Sequence, residues 1–191
     1  MKILVIAGSP RTNGNTSYLV RSILAGAHEV QPEASVDEVV LNRLDFTDCQ
    51  ACLRCRGDSA TRCATMDGLT DVLDGMLHSD RWVLATPIYM GHVTGKFKMF
   101  LDRTFGFSSP GEAKRIPPGK KAVIAITQGW NQEDRYDSVT GYIRDSLQQK
   151  GVEAKTVVLG GRLSWEPARE LSPEEDRKAR DLGKWLASTA V

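Results

Sequence analysis

The sequence predicts an α/β protein built on a doubly wound parallel sheet. Three observations lead to this class. Short apolar runs alternate with amphipathic segments along all 191 residues. The apolar runs have the length of buried strands. The amphipathic segments between them are long enough to be the crossover helices that parallel strands require. The length is that of one domain, so we expect residues 1–191 to form a single domain.

Each element has its own signal in the sequence. Five strands are predicted from the apolar runs, at Lys2–Ala7, Ser35–Leu41, Trp82–Thr86, Lys121–Thr127 and Glu153–Leu159. Pro87 is expected to stop the third of them. Helical spacing of apolar residues predicts helices that begin at Asn15 and near Asp67, span Lys96–Phe105 and Ser138–Lys150, and begin again at Pro173. Ser172 and Glu175 form a capping box at the last helix start.

Composition and charge exclude several classes of protein. Lys and Arg number 25 against 24 Asp and Glu, and the hydrophobic fraction is 41%. Because the charges are almost balanced, the protein is not expected to coat nucleic acid. The hydrophobic fraction is ordinary for a globular chain. The sequence contains no run of 18 apolar residues, so no membrane span is predicted. The N-terminus lacks the features of a signal peptide. We therefore expect a cytoplasmic protein with no nucleic-acid or membrane partner.

The loop after the first strand has the character of an anion-binding site. It runs Gly8-Ser9-Pro10-Arg11-Thr12-Asn13-Gly14-Asn15-Thr16-Ser17 and opens a helix. Backbone N–H groups and the positive end of a helix favour a phosphate there. The side chains of Ser9, Asn15, Thr16 and Ser17 supply neutral donors, and Arg11 supplies a charge. The simpler alternative is an N-capped helix in a glycine-rich turn.

Counting residues excludes other phosphate-binding motifs. Five residues separate Gly8 from Gly14 and no lysine follows, so this is not a Walker A loop. The Gly-x-Gly-x-x-Gly pattern of a dinucleotide site is absent, as is the Cys-x5-Arg loop of a phosphatase. No acidic residue follows the first strand, which excludes a response-regulator receiver.

The chain resembles the NADPH-dependent FMN reductase and multimeric flavodoxin group. The residues that carry the resemblance are the loop just described, then Thr86–Gly91 and Thr94–Arg103. It implies a flavodoxin-like fold with helices on both faces of the sheet, and a phosphate loop formed by Ser9, Arg11, Asn13, Asn15, Thr16 and Ser17. In that group the loop after the third strand wraps the flavin ring, here Pro87, Ile88, Tyr89, Met90 and Gly91. By the same resemblance the pyrimidine edge of the flavin is bordered by Thr127, Gln128 and Gly129.

All four cysteines lie close together, as Cys49-x2-Cys52-x2-Cys55-x7-Cys63, inside an aperiodic segment over residues 44–66. This compact spacing suits a [4Fe–4S] cluster, and Arg54, Arg56 and Arg62 would offset its negative charge. Structural zinc usually separates two Cys-x-x-Cys pairs by a longer spacer. The segment resembles that of the iron–sulfur flavoproteins, although other relatives have cysteines here and bind no cluster. Zinc and redox-active free thiols therefore remain as alternatives.

The functional hypothesis is an FMN-dependent oxidoreductase, most simply an iron–sulfur flavoprotein. No serine–histidine–acid pattern or carboxylate pair is present, so we assign no catalytic side chain. One alternative is a cluster-free reductase of FMN or quinones that uses NAD(P)H as substrate. The other is a zinc-stabilised, flavodoxin-like interaction module without turnover. A redox protein or NAD(P)H is the expected electron partner. The wide apolar face of helix Lys96–Phe105 predicts a homo-oligomer, a dimer or a tetramer.

Overall fold

The computed structural model describes residues 1–56, 63–108, 115–162 and 166–189. Its strands are β1 (Lys2–Ala7), β2 (Ser35–Val40), β3 (Arg81–Tyr89), β4 (His92–Val93), β5 (Lys121–Thr127) and β6 (Glu153–Leu159). Its helices are α1 (Asn15–Val30), α2 (Thr70–His78), α3 (Gly95–Arg103), α4 (Asp137–Gln149) and α5 (Pro173–Ala187). Arg62, one of the three arginines that the sequence interleaves with the cysteines, lies outside the described residues.

The predicted fold class is confirmed. The parallel strands are ordered β2-β1-β3-β5-β6, the doubly wound order of flavodoxin. The chain order reverses across β1 and β3, so the ligand crevice of such a sheet is expected at their carboxyl ends. The one addition to the five expected strands is β4, a two-residue strand that pairs antiparallel with the end of β3.

The sheet divides the core into two layers. Alternate residues of each strand point to opposite faces, so Ile3 and Val5 lie on one side of β1 while Leu4 and Ile6 lie on the other. Helices α1 and α5 cover the first face, and α2, α3 and α4 cover the second. The interior strand β5 is buried along its whole length, as expected for a parallel strand covered on both faces.

Pro87 does not stop the third strand, which corrects the sequence-based expectation. β3 continues to Tyr89, and Pro87 pairs with Thr127 of β5. The carbonyl of Ala85 accepts from the Gly8 amide on the β1 side, and Pro87, two residues on, faces the same side. β1 has already ended there, at Ala7. The missing N–H of proline therefore removes no ladder hydrogen bond.

Two helix boundaries also differ from expectation. α2 begins at Thr70 rather than near Asp67, because Asp67 forms hydrogen bonds within the turn that precedes the helix. Its carboxylate accepts from the Leu69 amide at 3.1 Å, and its own amide donates to the Thr70 hydroxyl at 3.0 Å. α3 ends at Arg103, and a 3-10 turn over Thr104–Phe107 follows it.

The apolar face of α3 is mostly used inside the chain, contrary to the excess that its sequence suggests. Phe97 and Phe100 are fully buried and pack on each other with ring centroids 5.6 Å apart. Met99 and Leu101 are half-buried against the same core. Only Phe105, which follows the helix, is substantially exposed, at 40%. Within the described residues, no helix is long and apolar enough to cross a membrane.

Candidate functional site

A cleft of about 400 Å³ opens where the loops after β1, β3 and β5 meet at the carboxyl edge of the sheet. This volume is in the usual range for a small-molecule site. The predicted flavin residues line it with two exceptions, and Trp130, Tyr136 and Arg162 complete its wall. The exceptions are Asn13, whose side chain accepts from Arg21 at 3.1 Å, and Ser17, which lies beside Val20 and Val40 on the other side of the loop.

The loop after β1 is shaped by close packing against β3 and α3. A Cβ on Gly8 would lie 2.8 Å from the Phe97 side chain and 2.9 Å from the Thr86 hydroxyl, so only glycine fits there. The Thr94 hydroxyl donates to the Gly8 carbonyl at 2.8 Å. Gly14 is the N-cap of α1 and provides no side-chain cap. No side chain at the cap accepts a hydrogen bond from the first amides of α1. These amides can therefore donate to a bound anion.

The hydroxyl of Thr16 joins two loops of the cleft. Its oxygen lies 2.8 Å from the hydroxyl oxygen of Thr127, and both side chains are buried. This contact ties the beginning of α1 to the end of β5. Ser9 is also buried, and its hydroxyl oxygen accepts from the Arg11 amide at 3.2 Å.

The loop after β3 is a tight hairpin. Tyr89 pairs with His92, and both intervening residues have positive φ, 49° at Met90 and 81° at Gly91. This is the two-residue hairpin geometry that favours glycine, so the non-glycine residue Met90 stores strain. The Met90 side chain is fully exposed at the cleft mouth. Such strain at a ligand-facing turn is common at functional sites.

Aromatic side chains form the outer wall of the cleft. Trp130 is 51% exposed, and the guanidinium of Arg135 stacks 4.0 Å from its ring centroid. The ring of Tyr136 lies beside the hairpin, 3.9 Å from where a Cβ on Gly91 would be. Tyr136 and Arg162 were not predicted. Arg162 follows the last strand, whose carboxyl end lies at the same sheet edge, and inspecting that loop as well would have found it.

The cysteine segment lies along α3 and the turn that follows this helix. Cys55 is buried on a 3-10 turn over Arg54–Arg56, Cys49 and Cys63 are half-buried, and Cys52 is exposed. Ala51 and Leu53 have positive φ, 49° and 58°, so the backbone turns sharply on either side of Cys52. All four cysteines are described, and none is in a disulfide.

The cysteines affect one another electrostatically. Burial raises the pKa of the Cys55 thiol, and negative charge on Cys63, Cys49 and Cys52 raises it further. Hydrogen bonds from the Arg54 backbone N–H and side chain lower the pKa of the Cys52 thiol. Arg115 donates to the carbonyls of Cys55 and Gly106. Arg54 and Arg115 therefore both contact the segment that carries the thiols.

Arg103, the last residue of α3, forms hydrogen bonds with the cysteine segment. Its guanidinium, fully buried, donates to the Thr47 carbonyl at 3.0 Å and the Thr65 carbonyl at 2.9 Å. It also forms a two-point ion pair with Asp67, at 2.8 and 3.3 Å. The backbone before Cys49 and after Cys63 is thus held by one side chain.

The sheet order and the aromatic-walled cleft at the carboxyl edge, together with the family match given next, make this a flavin-dependent oxidoreductase of flavodoxin-like fold. Comparison with known proteins places it more narrowly. The chain belongs to the NADPH-dependent FMN reductase family, whose profile matches residues 1–137.

Individual relatives agree with this assignment. An iron–sulfur flavoprotein of Methanocaldococcus jannaschii is 33% identical over 98% of this chain and 96% of its own length. An iron–sulfur flavoprotein of Methanosarcina thermophila is 27% identical over 89% of this chain and 85% of its own. Among solved structures, an NAD(P)H:quinone oxidoreductase of Methanothermobacter marburgensis superposes with a TM-score of 0.70 at 16% identity, covering 100% of this chain and 99% of that one. At that identity, the structural likeness supports the fold alone.

Proposed function

We propose that the chain is an iron–sulfur flavoprotein: a single domain that binds FMN in the cleft and a [4Fe–4S] cluster on Cys49, Cys52, Cys55 and Cys63. The observation that carries the proposal is that all four cysteines lie on one segment held against α3, with Cys55 and Cys63 both beside Gly106 and with the other three thiols acting on the pKa of Cys55. This helix begins beside the flavin hairpin and ends at Arg103, and its nine residues span about 13 Å. Both curated relatives described above are named iron–sulfur flavoproteins.

The donor set fits a cluster in its chemistry. Four thiolates are the usual ligands of a [4Fe–4S] cube, and the arginines around them offset their charge. Among the described residues, no three His, Cys, Asp or Glu side chains are grouped closely enough to hold one metal ion. In the sequence, the compact Cys49-x2-Cys52-x2-Cys55 spacing suits a cube better than structural zinc, which usually separates two Cys-x-x-Cys pairs by a longer spacer.

The chain's own residues bind and orient the flavin. The first amides of α1, the hydroxyls of Ser9 and Thr16 and the Arg11 guanidinium would hold the phosphate. The hairpin Pro87–Gly91 would lie along the ring, with Thr127, Gln128 and Gly129 at its pyrimidine edge. Trp130 and Tyr136 would restrict access of water. Bound FMN supplies the redox chemistry, since it exchanges either one or two electrons and so connects a hydride donor to a one-electron cluster.

Two sets of variants test the cofactor assignment, because each should remove one group and leave the other. We expect any single Cys→Ala change at the four positions to lose most of the iron and labile sulfide and to retain flavin. We expect the double variant Ser9→Ala, Thr16→Ala to release FMN and to retain iron. Iron, sulfide and flavin are measured on protein purified without oxygen. Full metal in all four cysteine variants, or none in the wild type, would rule out the cluster.

The second candidate is a cluster-free NAD(P)H-dependent reductase of FMN or quinones. The open cleft mouth favours it, because Met90, Tyr89 and Trp130 leave an exposed apolar surface where a second planar molecule could stack. Wild-type protein that contains flavin but no iron and oxidises NAD(P)H would establish this candidate. Protein that contains zinc and no flavin would instead establish the interaction module.

A further inference from the structure

Arg162 is a buried cation in the wall of the flavin cleft. It follows β6, and only 1% of its side chain is exposed. Its amide donates to the Gln128 carbonyl at 2.8 Å, which fixes it to the loop after β5. Its position is therefore set by two neighbouring strands, β5 and β6, rather than by a flexible surface loop.

Among the described residues, both terminal nitrogens of this guanidinium have hydrogen-bond partners and its Nε has none. One terminal nitrogen donates to the Glu175 carboxylate at 2.6 Å. The other donates to the carbonyls of Arg169 and Glu170, at 3.0 and 3.3 Å. The Nε group, also buried, has no partner among the residues that the structure describes. A buried donor without an acceptor is costly, so its presence in a cleft wall points to an acceptor supplied by a ligand.

The same contacts place Arg162 near the anion-binding end of the cleft. The carbonyl of Arg169 accepts from Arg162, while the amide of Arg169 donates to the side-chain oxygen of Asn15 at 3.1 Å. Asn15 is the first residue of α1. One residue therefore links the Arg162 guanidinium to the helix end where the phosphate loop lies. The partial positive charge of that helix end and the Arg11 side chain act on the same region.

We propose that Arg162 is a second guanidinium ligand of the flavin phosphate end, complementing Arg11, and that its Nε–H donates to the bound anion. This inference rests on the proposed binding of FMN in the cleft. Glu175 already balances much of the Arg162 charge, so the contribution is a short-range hydrogen bond more than a long-range field. Glu175 and the two carbonyls hold the guanidinium rigid, which lowers the entropic cost of that bond.

The test compares FMN with riboflavin, which has the same ring and ribityl chain but no phosphate. We expect Arg162→Gln to weaken FMN binding about tenfold or more and to leave riboflavin binding nearly unchanged. Both dissociation constants are measured by quenching of flavin fluorescence. Arg81→Gln is the matched control, because Arg81 donates to the carbonyls of Leu186 and Gly119 at the opposite edge of the sheet. It should leave the ratio of the two constants unchanged.

Arg162→Lys is a second variant in case the neutral one does not fold. A lysine keeps the charge but cannot occupy all the donor positions of the guanidinium, so the dissociation constant for FMN relative to that for riboflavin should rise by a smaller factor than in Arg162→Gln. Equal weakening of both flavins would show a purely structural role and overturn the inference, as would no weakening of either. If the wild type binds neither flavin, the proposed function itself fails and the inference fails with it.

Discussion

Arg103 brings three segments together: its own helix, the backbone before Cys49 and the backbone after Cys63. Its ion pair with Asp67 is well buried, with side-chain exposures of 0% and 16%. Such a pair gives little net stability compared with apolar packing, but removal of one partner leaves a buried charge uncompensated. Burial opposes the charged form of Asp67, and the hydrogen bonds from Arg103 and the Thr47 amide more than compensate, so the pKa of this carboxyl is lowered.

We expect Arg103→Met to lower the free energy of unfolding by about 3–5 kcal/mol, because it removes the ion-pair partner of Asp67 and the donor to two backbone carbonyls. The measurement is urea unfolding of the flavin-loaded protein. Arg144→Met is the control, since its ion pair with Asp145 is exposed and should change stability by about 0.5 kcal/mol or less. Similar midpoints for the two variants would contradict this role for Arg103.

At the scale of elements, the sequence was sufficient to predict those strand and helix boundaries that are set by residues at the boundary itself. Three strands, Lys2–Ala7, Lys121–Thr127 and Glu153–Leu159, match their predicted ranges. The capping box of Ser172 and Glu175 is present, and α5 begins at Pro173 as expected. The extension of β3 past Pro87 could not be predicted, because it depends on where the neighbouring strand β1 ends. That information is in the packing of the sheet and not in the local sequence.

The α5 capping box should make stability depend on pH. Burial raises the pKa of Glu175, but hydrogen bonds from the Ser172 backbone and hydroxyl, together with Arg162, outweigh it, so the pKa is lowered. A carboxyl with a lowered folded-state pKa stabilises the fold above its unfolded value of about 4.3. That stabilisation is lost as the pH falls through the folded-state pKa.

We therefore expect Glu175→Gln to be less stable than wild type at pH 7, and the difference to shrink steadily below about pH 4.3. Chemical denaturation at a series of pH values measures both proteins. Glu174→Gln is the control, because Glu174 lies in the same helical turn but is two-thirds exposed. A difference between wild type and Glu175→Gln that stays constant with pH would contradict the linkage.

Helices α1 and α5 approach closely enough that two glycines are required. A Cβ on Gly183 would lie 1.9 Å from the Ile23 carbonyl oxygen, and one on Gly26 would lie 2.1 Å from that of Arg180. Both obstacles are backbone atoms, so the helices themselves would have to separate. We expect Gly183→Ala to cost about 1–3 kcal/mol or more.

Gly141→Ala provides the matched comparison for that variant. Gly141 lies inside α4, and its nearest neighbour to a new Cβ is the tip of the Arg144 side chain at 3.6 Å. Alanine should therefore stabilise this helix by about 0.5–1 kcal/mol. Thermal unfolding midpoints should move in opposite directions for the two variants. A neutral Gly183→Ala would show that α1 and α5 can separate freely.

At the scale of the whole molecule, the candidate site could be predicted in its parts but not in its full membership. The loops after β1, β3 and β5 were expected to converge because parallel strands end at one edge. The direction of individual side chains was not predictable, so Asn13 was included although it faces Arg21. Arg162 was missed because its partners, Glu175 and Arg169, are brought to it by α5 and by the segment before it.

Within the described residues, a groove beside the cysteine segment leaves large apolar side chains exposed. It has a volume of about 470 Å³ and lies between that segment, the turn after α3, and α4. Three large apolar side chains are exposed along it, Leu53 at 61%, Tyr142 at 58% and Phe105 at 40%. Clustered exposure of this kind marks an interaction surface more often than isolated exposure does.

We expect a second copy of the chain to cover this groove, giving at least a dimer. The cysteine segment forms part of it, and a cluster there would be shielded from water by the partner. Light scattering at micromolar concentration should give a mass of at least twice 21.0 kDa. The double variant Phe105→Glu, Tyr142→Glu should shift the mass towards that of the monomer, because it buries two charges in the contact. Val30→Glu alters an equally exposed apolar residue, 42% exposed at the far end of α1, and should leave the mass unchanged. A wild-type mass near 21 kDa would exclude the oligomer, and an unchanged mass in the double variant would place the contact elsewhere.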